Sequence, residues 1–304
     1  MSISLKLSIF PWIKSVLVFL KVKKDSLHIC LRMTRLDSET LVWVRNNINT
    51  LDTKLKNLID LGLEEICNGE DYFGKGADKE NKIGVIPISS SDGVIRHFSE
   101  TVSFILNYLD FNSEVASEKD VFGLKKSIEG NKDIVFIADD NRFVAIKFDG
   151  LMVIDNTHAT ARAYSILTRE VLSKSSRSRC LLVGLGRVGG NILKYLFSNP
   201  LSVQCLVDKF YIYDINRKRM RNLSKKYPVK ILTEDDLKQG IKQDVIIDAT
   251  PSRESVCTNE RILHKKTVFL QPGVPPSEKV NGINDYFHDP LALGVGTMGF
   301  MASQ

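Results

Sequence analysis

From Ser38 onward the apolar residues Leu41, Val44, Ile48, Leu51, Leu55 and Leu58 recur three or four positions apart, the spacing of one helical face. Gly62 is the expected stop, and the face is expected to pack on the neighbouring domain or on a second copy. Residues 82–88 (KIGVIPI) read as a buried strand closed by the turn-rich stretch 89–93. Helices at 99–108 and 120–129 and strands at 133–138 and 143–148 then give the order strand, helix, short strand, helix, strand. That order predicts a small α/β sandwich. Thr157 is expected to cap a helix running to about residue 172, with a linker of serines and basic residues at 174–178.

The remaining pattern is more regular. Strands at 180–184, 210–214, 230–232, 244–248 and 268–270 alternate with helices at 188–197, 217–226 and 235–239, the sequence form of a parallel, doubly wound sheet. The expected fold class is α/β in two domains: a smaller N-terminal α/β substrate domain at 33–156 and a C-terminal Rossmann-type domain at 179–304 that ends in a helix. Residues 157–178 are the expected connecting helix and linker.

Composition changes this picture little. The 304 residues are 43% hydrophobic and 26% charged, an ordinary globular balance. The formal charge of +6 comes mostly from residues 1–32, which hold six basic groups and one acid and so supply +5. The body is nearly neutral, which removes the case for a nucleic-acid partner. The apolar run 16–20 is far below the roughly 20 residues of a membrane span, and Pro11 and Lys14 interrupt any signal-like segment. No membrane association is expected. Met33 directly precedes the helix-start signal Asp37-Ser38-Glu39, so residues 1–32 read as an over-extended start or an unstructured leader. Cys30, Cys67, Cys180, Cys205 and Cys257 contain no C-x-x-C pair, which fits free thiols in a reducing cytoplasm.

The stretch CLLVGLGRVGGNILKYL carries the clearest chemistry. Gly184-Leu185-Gly186-Arg187-Val188-Gly189 sets three glycines at G-x-G-x-x-G between an apolar strand and an amphipathic helix. Gly184 permits the turn, Gly186 lets backbone approach a pyrophosphate, and Gly189 allows close helix–strand contact. The helix N-terminus adds free amides and a positive dipole. Asp214, 25 residues after Gly189, ends the next apolar run and is placed to hold ribose hydroxyls. Its charge disfavours a 2′-phosphate, so NAD is expected over NADP, while Arg217, Lys218 and Arg219 keep NADP open. Asp248-Ala249-Thr250-Pro251 and Gln271-Pro272-Gly273 follow later strands, where such a ligand lies.

No other catalytic machine is recognisable. The five histidines (28, 97, 158, 264 and 288) show no metal-ligand spacing, and neither a G-x-S-x-G elbow nor a P-loop is present. No metal is expected. His97, just before a helix, reads as structural. Asp139-Asp140 at a strand end is either a turn or a holder for a cationic substrate.

GVIPISSSDGVIRHFSETV, IVFIADDNRF, LLVGLGRVG, VIIDATP, QPGVP and DPLALGVGTM, in that order, closely resemble the PylD family of NAD-dependent pyrrolysine synthases. The resemblance spans about residues 33–304. It implies a small-molecule substrate, lysine carrying (3R)-3-methyl-D-ornithine on its side-chain nitrogen. The terminal amine is oxidised by hydride transfer to NAD⁺, and the substrate's α-amine closes a pyrroline ring with loss of ammonia. By the same resemblance Leu36, Ser90, Phe98 and Asp139 bind substrate, and Asp139 is the catalytic candidate. Gly184, Leu185, Gly186, Arg187, Val188, Gly189, Asp214, Arg217, Ala249, Thr250, Pro251, Pro272 and Gly273 are the expected cofactor residues. His97, Gln271 and Asp289 depart from the family pattern. The segment 294–301 is expected to be a mobile helix closing over substrate, and the enzyme a homodimer. Rival readings are a dehydrogenase for another amino or hydroxy acid and a non-catalytic NAD-sensing module.

Overall fold

Helix α1 (Ser38–Ile59) begins where the Asp37 carboxylate accepts a hydrogen bond from Thr40 N at 2.7 Å, satisfying one of the free amides of the first turn. The computed structural model describes residues 36–69, 77–89, 95–174, 178–198, 203–252, 255–276 and 283–304. The leader with Cys30 and Met33, Ser90 and most of the 89–93 turn, and residues 175–177 of the linker lie outside these. The buried stripe of α1 is Leu41, Val44, Ile48, Leu51, Leu55 and Ile59, while Leu58 is only partly buried. The stripe joins the chain's own core. Asp60, in the left-handed region at φ 63°, ends the helix. Gly62, expected as that stop, instead heads the short helix α2 (Leu63–Asn68), where its N–H donates to Glu65 at 2.9 Å.

The first sheet is built from β1 (Lys82–Ile86), β2 (Asn112–Val115), β3 (Ile134–Ala138), β4 (Phe143–Lys147) and β5 (Met152–Asp155). Its order is β2-β1-β3-β4-β5. β1 pairs in parallel with β2 and β3, and β4 and β5 continue antiparallel. Helices α3 (Phe98–Tyr108) and α4 (Asp120–Glu129) make the crossovers. One face, with Ile83, Val85, Ile134, Phe136, Phe143, Ala145 and Ile154, enters the main core. β5 is an edge strand on which Val153 stays 60% exposed, and Leu151, in the turn just before it, is 81% exposed.

Helix α5 (Asn156–Ser173) leads out of this sheet. Its cap is Asp155, which accepts from Thr157 N at 2.8 Å, so Thr157 is the donor rather than the expected cap. α5 is buried on most sides because it lies between the two halves of the core. Two of its buried arginines act on other helices: Arg162 donates to Asn68 O at 3.1 Å, and Arg169 donates to Tyr195 O and Leu196 O at 3.0 Å. Cations at helix ends satisfy leftover carbonyls and oppose the dipole.

The second sheet is wholly parallel, in the order β11-β10-β9-β6-β7-β8. Its strands are β6 (Ser178–Val183), β7 (Val207–Tyr213), β8 (Lys230–Ile231), β9 (Val245–Asp248), β10 (Val268–Gln271) and β11 (Asp285–His288). Helices α6 (Arg187–Ser198), α7 (Arg217–Lys226) and α8 (Glu234–Gln239) alternate with the first four strands. The order reverses between β6 and β9, which defines a crevice at their carboxyl ends. The α/β class with a Rossmann-type doubly wound sheet is therefore observed. No helix among the described residues is long and apolar enough to cross a membrane.

The chain closes with α9 (Ala292–Ala302), which packs against α5, α2 and α3 and against β4 and β5. Every residue from Ala292 to Phe300 is buried. Its glycines are packing contacts: a Cβ on Gly294 would come within 2.4 Å of Asn156 Oδ1, and one on Gly296 within 2.6 Å of Cys67 Sγ and Leu109 Cδ1. The expected mobile cover thus stands here as a core helix, because its small residues let other elements approach on all sides. Gly296→Val should cost about 3 kcal/mol by overpacking. Urea denaturation measures this, and a loss under about 0.5 kcal/mol would contradict the packing role.

Candidate functional site

The glycine loop starts where β6 ends. Gly184 takes φ 82°, a conformation costly to residues with a side chain, and its N–H donates to Tyr213 O at 2.9 Å. A Cβ on Gly189 would sit 1.8 Å from Gly184 O, so α6 can approach β6 this closely only with glycine there. A Cβ on Gly186 would meet nothing within 4 Å, and the residue is exposed. The loop therefore presents bare backbone to open space at a helix N-terminus, and these residues fit a dinucleotide pyrophosphate.

Asp214 stands beside the loop, 7% exposed. Its Oδ2 accepts from Leu185 N at 2.6 Å and pairs with Arg219 at 3.2 Å, and its Oδ1 accepts from Asn216 N at 2.7 Å. The carboxylate ties the glycine loop to the start of α7. Arg219, not Arg217, is the cation that reaches it; Arg217 is exposed and faces Glu234 at 3.8 Å. The sequence reading selects Arg217 as the cofactor residue, and the structure instead sets Arg219 at Asp214, because which arginine turns inward depends on the phase of the first turn of α7.

The ends of β9 and β10 close the same crevice. Ala249 N donates to Val183 O at 2.8 Å, and Asp248 Oδ1 accepts from Thr250 N at 3.1 Å and Thr250 Oγ1 at 2.7 Å. A Cβ on Gly273 would lie 2.1 Å from Thr250 O, so the two loops touch. Pro272 and Gly273 are buried behind this contact, and Pro251 is exposed at the rim. Except for Arg217, the described cofactor candidates thus gather at one end of the sheet.

Behind the β10 turn lies a buried polar network absent from the sequence reading. Tyr164 Oη reaches Gln271 O at 3.1 Å and Asp289 O at 3.3 Å, and Asp289 N donates to Tyr164 Oη at 3.2 Å. His288 Nδ1 contacts Gln271 O at 2.9 Å, so Nδ1 carries the proton. Burial lowers the His288 pKa and keeps the ring neutral. Tyr286 Oη donates to Gln271 Oε1 at 2.6 Å, which gives the departure at Gln271 a physical role. The Asp289 carboxylate accepts from Ala292 N at 3.0 Å and Leu293 N at 2.7 Å and so starts α9, yet burial raises its pKa.

On the first sheet Asp139 follows β3 and is exposed. Its Oδ1 accepts from Asn141 N and Arg142 N, each at 2.7 Å, and its own N–H donates to Arg142 O at 2.8 Å, so it shapes the β3–β4 turn. Among the described residues no hydrogen bond is recorded at Oδ2. Phe98 packs edge to face on Phe143, centroids 5.1 Å apart, and Leu36 packs against the core. His97 takes φ 67° just before α3.

Asp155 joins the two sheets' loops. Its Oδ2 lies 3.2 Å from Arg142 Nη1 and 3.7 Å from Arg187 Nη2, with the carboxyl 22% exposed. Its place before Asn156-Thr157 signals a cap, but neither arginine is predictable from local sequence. Among the described residues no cluster of His, Cys, Asp or Glu could hold a metal. Burial raises the thiol pKa of Cys67, Cys180 and Cys257, so none is primed as a nucleophile.

Residues 43–153 match the family described as pyrrolysine biosynthesis protein PylD, N-terminal domain. The chain is 25% identical over 271 residues to a pyrrolysine synthase of Methanosarcina acetivorans, covering 88% of this chain and 98% of that one. It is 24% identical over 275 residues to a pyrrolysine synthase of Methanosarcina barkeri, covering 90% and 98%. A crystal structure of shikimate dehydrogenase from Aquifex aeolicus aligns with a TM-score of 0.46 at 15% identity, over 74% of this chain and 92% of that one.

Tyr164→Phe removes a hydroxyl that serves three buried backbone groups. The expected cost is about 1–3 kcal/mol. Chemical denaturation reads it, and an unchanged midpoint would show that the network is dispensable.

Proposed function

We propose that this chain, which matches the PylD N-terminal family model over residues 43–153 and pyrrolysine synthases at 24–25% identity, is an NAD-dependent oxidoreductase that completes a pyrroline ring. The substrate in this reading is lysine bearing 3-methyl-D-ornithine on its side-chain nitrogen. The observation that carries the reading is the facing pair of half-sites. A bare glycine loop with Asp214 lies on one side and Asp139, with an oxygen to spare, on the other, linked through Asp155.

In the proposed site Gly184, Leu185, Gly186, Val188 and Gly189 hold the pyrophosphate, and Asp214 receives the ribose hydroxyls. The buried negative charge at Asp214 supports NAD over a 2′-phosphorylated form. Ala249, Thr250, Pro251, Pro272 and Gly273 shape the far end. When bound, the dinucleotide supplies a hydride acceptor. Asp139 attracts the terminal ammonium and takes part in its loss of a proton, because only the free amine has an electron pair to support hydride departure. Leu36 and Phe98 line the pocket and exclude water; Ser90, the remaining substrate candidate, lies outside the described residues. Ring closure then needs little further catalysis, since an amine held near the oxidised carbon reacts at high effective molarity. Ammonia leaves and a five-membered cyclic imine remains.

Exposed Val153 on edge strand β5 and Leu151 in the turn before it support a homodimer, and the free thiols among the described residues support a reducing cytoplasm. Light scattering reads the first.

Incubation with NAD⁺ and methylornithyl-lysine is expected to release NADH and yield a product lighter by ammonia and two hydrogens, one leaving as hydride to NAD⁺ and one as a proton. Mass spectrometry that finds NADH without a cyclic imine would favour a dehydrogenase for another substrate, and tight binding without turnover would favour a sensor. Asp139→Asn keeps an acceptor for the turn amides and removes the charge. Turnover should fall at least about tenfold, from the loss of a charge-assisted hydrogen bond. Asp214→Ala should weaken NADH binding about tenfold in a fluorescence titration on the same grounds.

A further inference from the structure

We propose that Asp155 is a positioning residue that divides its charge between the two half-sites, keeping Arg142 away from Asp139 and holding Arg187 until a dinucleotide claims it. The inference deepens the proposed function and rests on that reading for the role of Asp139.

The geometry that leads here involves three separated segments. Arg187 belongs to the glycine loop, Arg142 to the β3–β4 turn, and Asp155 to the end of β5. A single oxygen, Asp155 Oδ2, lies 3.2 Å from Arg142 Nη1 and 3.7 Å from Arg187 Nη2. The other oxygen is already committed to Thr157 N at 2.8 Å, capping α5. Both arginine side chains are about half exposed, 56% for Arg142 and 51% for Arg187, so each has room to change partner.

The alternative partners lie nearby. The Arg142 backbone N–H is already bonded to Asp139 Oδ1 at 2.7 Å, so its side chain starts beside the carboxylate proposed to receive the amine. Without Asp155 that guanidinium has an anion at hand, and pairing with it neutralises the amine site. Arg187, at the first position of α6, is equally close in sequence to Gly186, where backbone faces open space. A pyrophosphate there carries two negative charges and competes with Asp155 for Arg187. When Arg187 moves to it, Asp155 is left to Arg142 alone and holds that side chain more firmly off Asp139. The dinucleotide thereby favours the cationic substrate, and linkage makes the effect mutual.

Asp155→Asn isolates this role, because asparagine is an equally good helix cap and α5 keeps its start. The expected result has opposite signs in the two half-sites. NADH affinity rises about threefold because a competitor for Arg187 is gone, while KM for the amine substrate rises about threefold or more and kcat changes little. A merely structural defect would weaken both. Adding Arg142→Gln to Asp155→Asn should return KM to near the wild-type value, since no cation is left to occupy Asp139. Affinities that move in the same direction, an unchanged KM, or a double variant no better than the single one would overturn the inference. If the wild-type enzyme turns over no amine, the amine reading itself fails, and the NADH titration decides alone: unchanged affinity in Asp155→Asn then rejects the role of Asp155.

Discussion

The approach of α6 to β6 is the constraint on which the rest of the second sheet depends. Gly189 lies so close to the Gly184 carbonyl that no side-chain carbon fits between them. That contact aims the start of α6 at the crevice and leaves Gly186 bare in front of it. A second contact of the same kind, Gly273 on the Thr250 carbonyl, closes the far side. Backbone thus forms the walls of the site, and side chains such as Asp214 and Asp248 serve mainly to lock loops together. A wall of backbone groups has no rotamers to reorganise, so any adjustment at this end of the sheet falls to the few side chains at its rim.

The two sheets are coupled chiefly through α5 and α9. Arg162 and Arg169 carry charge into the interior, yet each is met by carbonyls at the end of another helix. Tyr164, one turn further along α5 than Thr160, joins the β10 turn to the start of α9. Changes at the crevice therefore act on the core between the sheets rather than on one loop alone.

Much of this was legible in the sequence, and the exceptions have physical causes. Strands β6, β7, β9 and β10 carry apolar runs and read clearly, and the glycine spacing placed the crevice, whereas the half-polar DYFH of β11 gave no strand signal. The four-residue strands β2 and β5 are too short to show a period. α9 is apolar on every side and rich in glycine, so it has no amphipathic phase to reveal that it is core. Asp155 and the Tyr164 network were invisible for a different reason. Their partners come from segments far apart in the chain, and only the folded topology brings those segments together.

The position of α9 also orders events during synthesis. Residues 292–302 fill the interior formed by α2, α3 and α5, elements that end by Ser173. The N-terminal sheet therefore cannot complete its core while the second half is still being made, and must wait with apolar surface uncovered. Such long-range closure slows folding, because chain entropy is lost before the contacts that compensate for it form. Removing residues 292–302 would uncover the apolar surfaces of α2, α3 and α5 together.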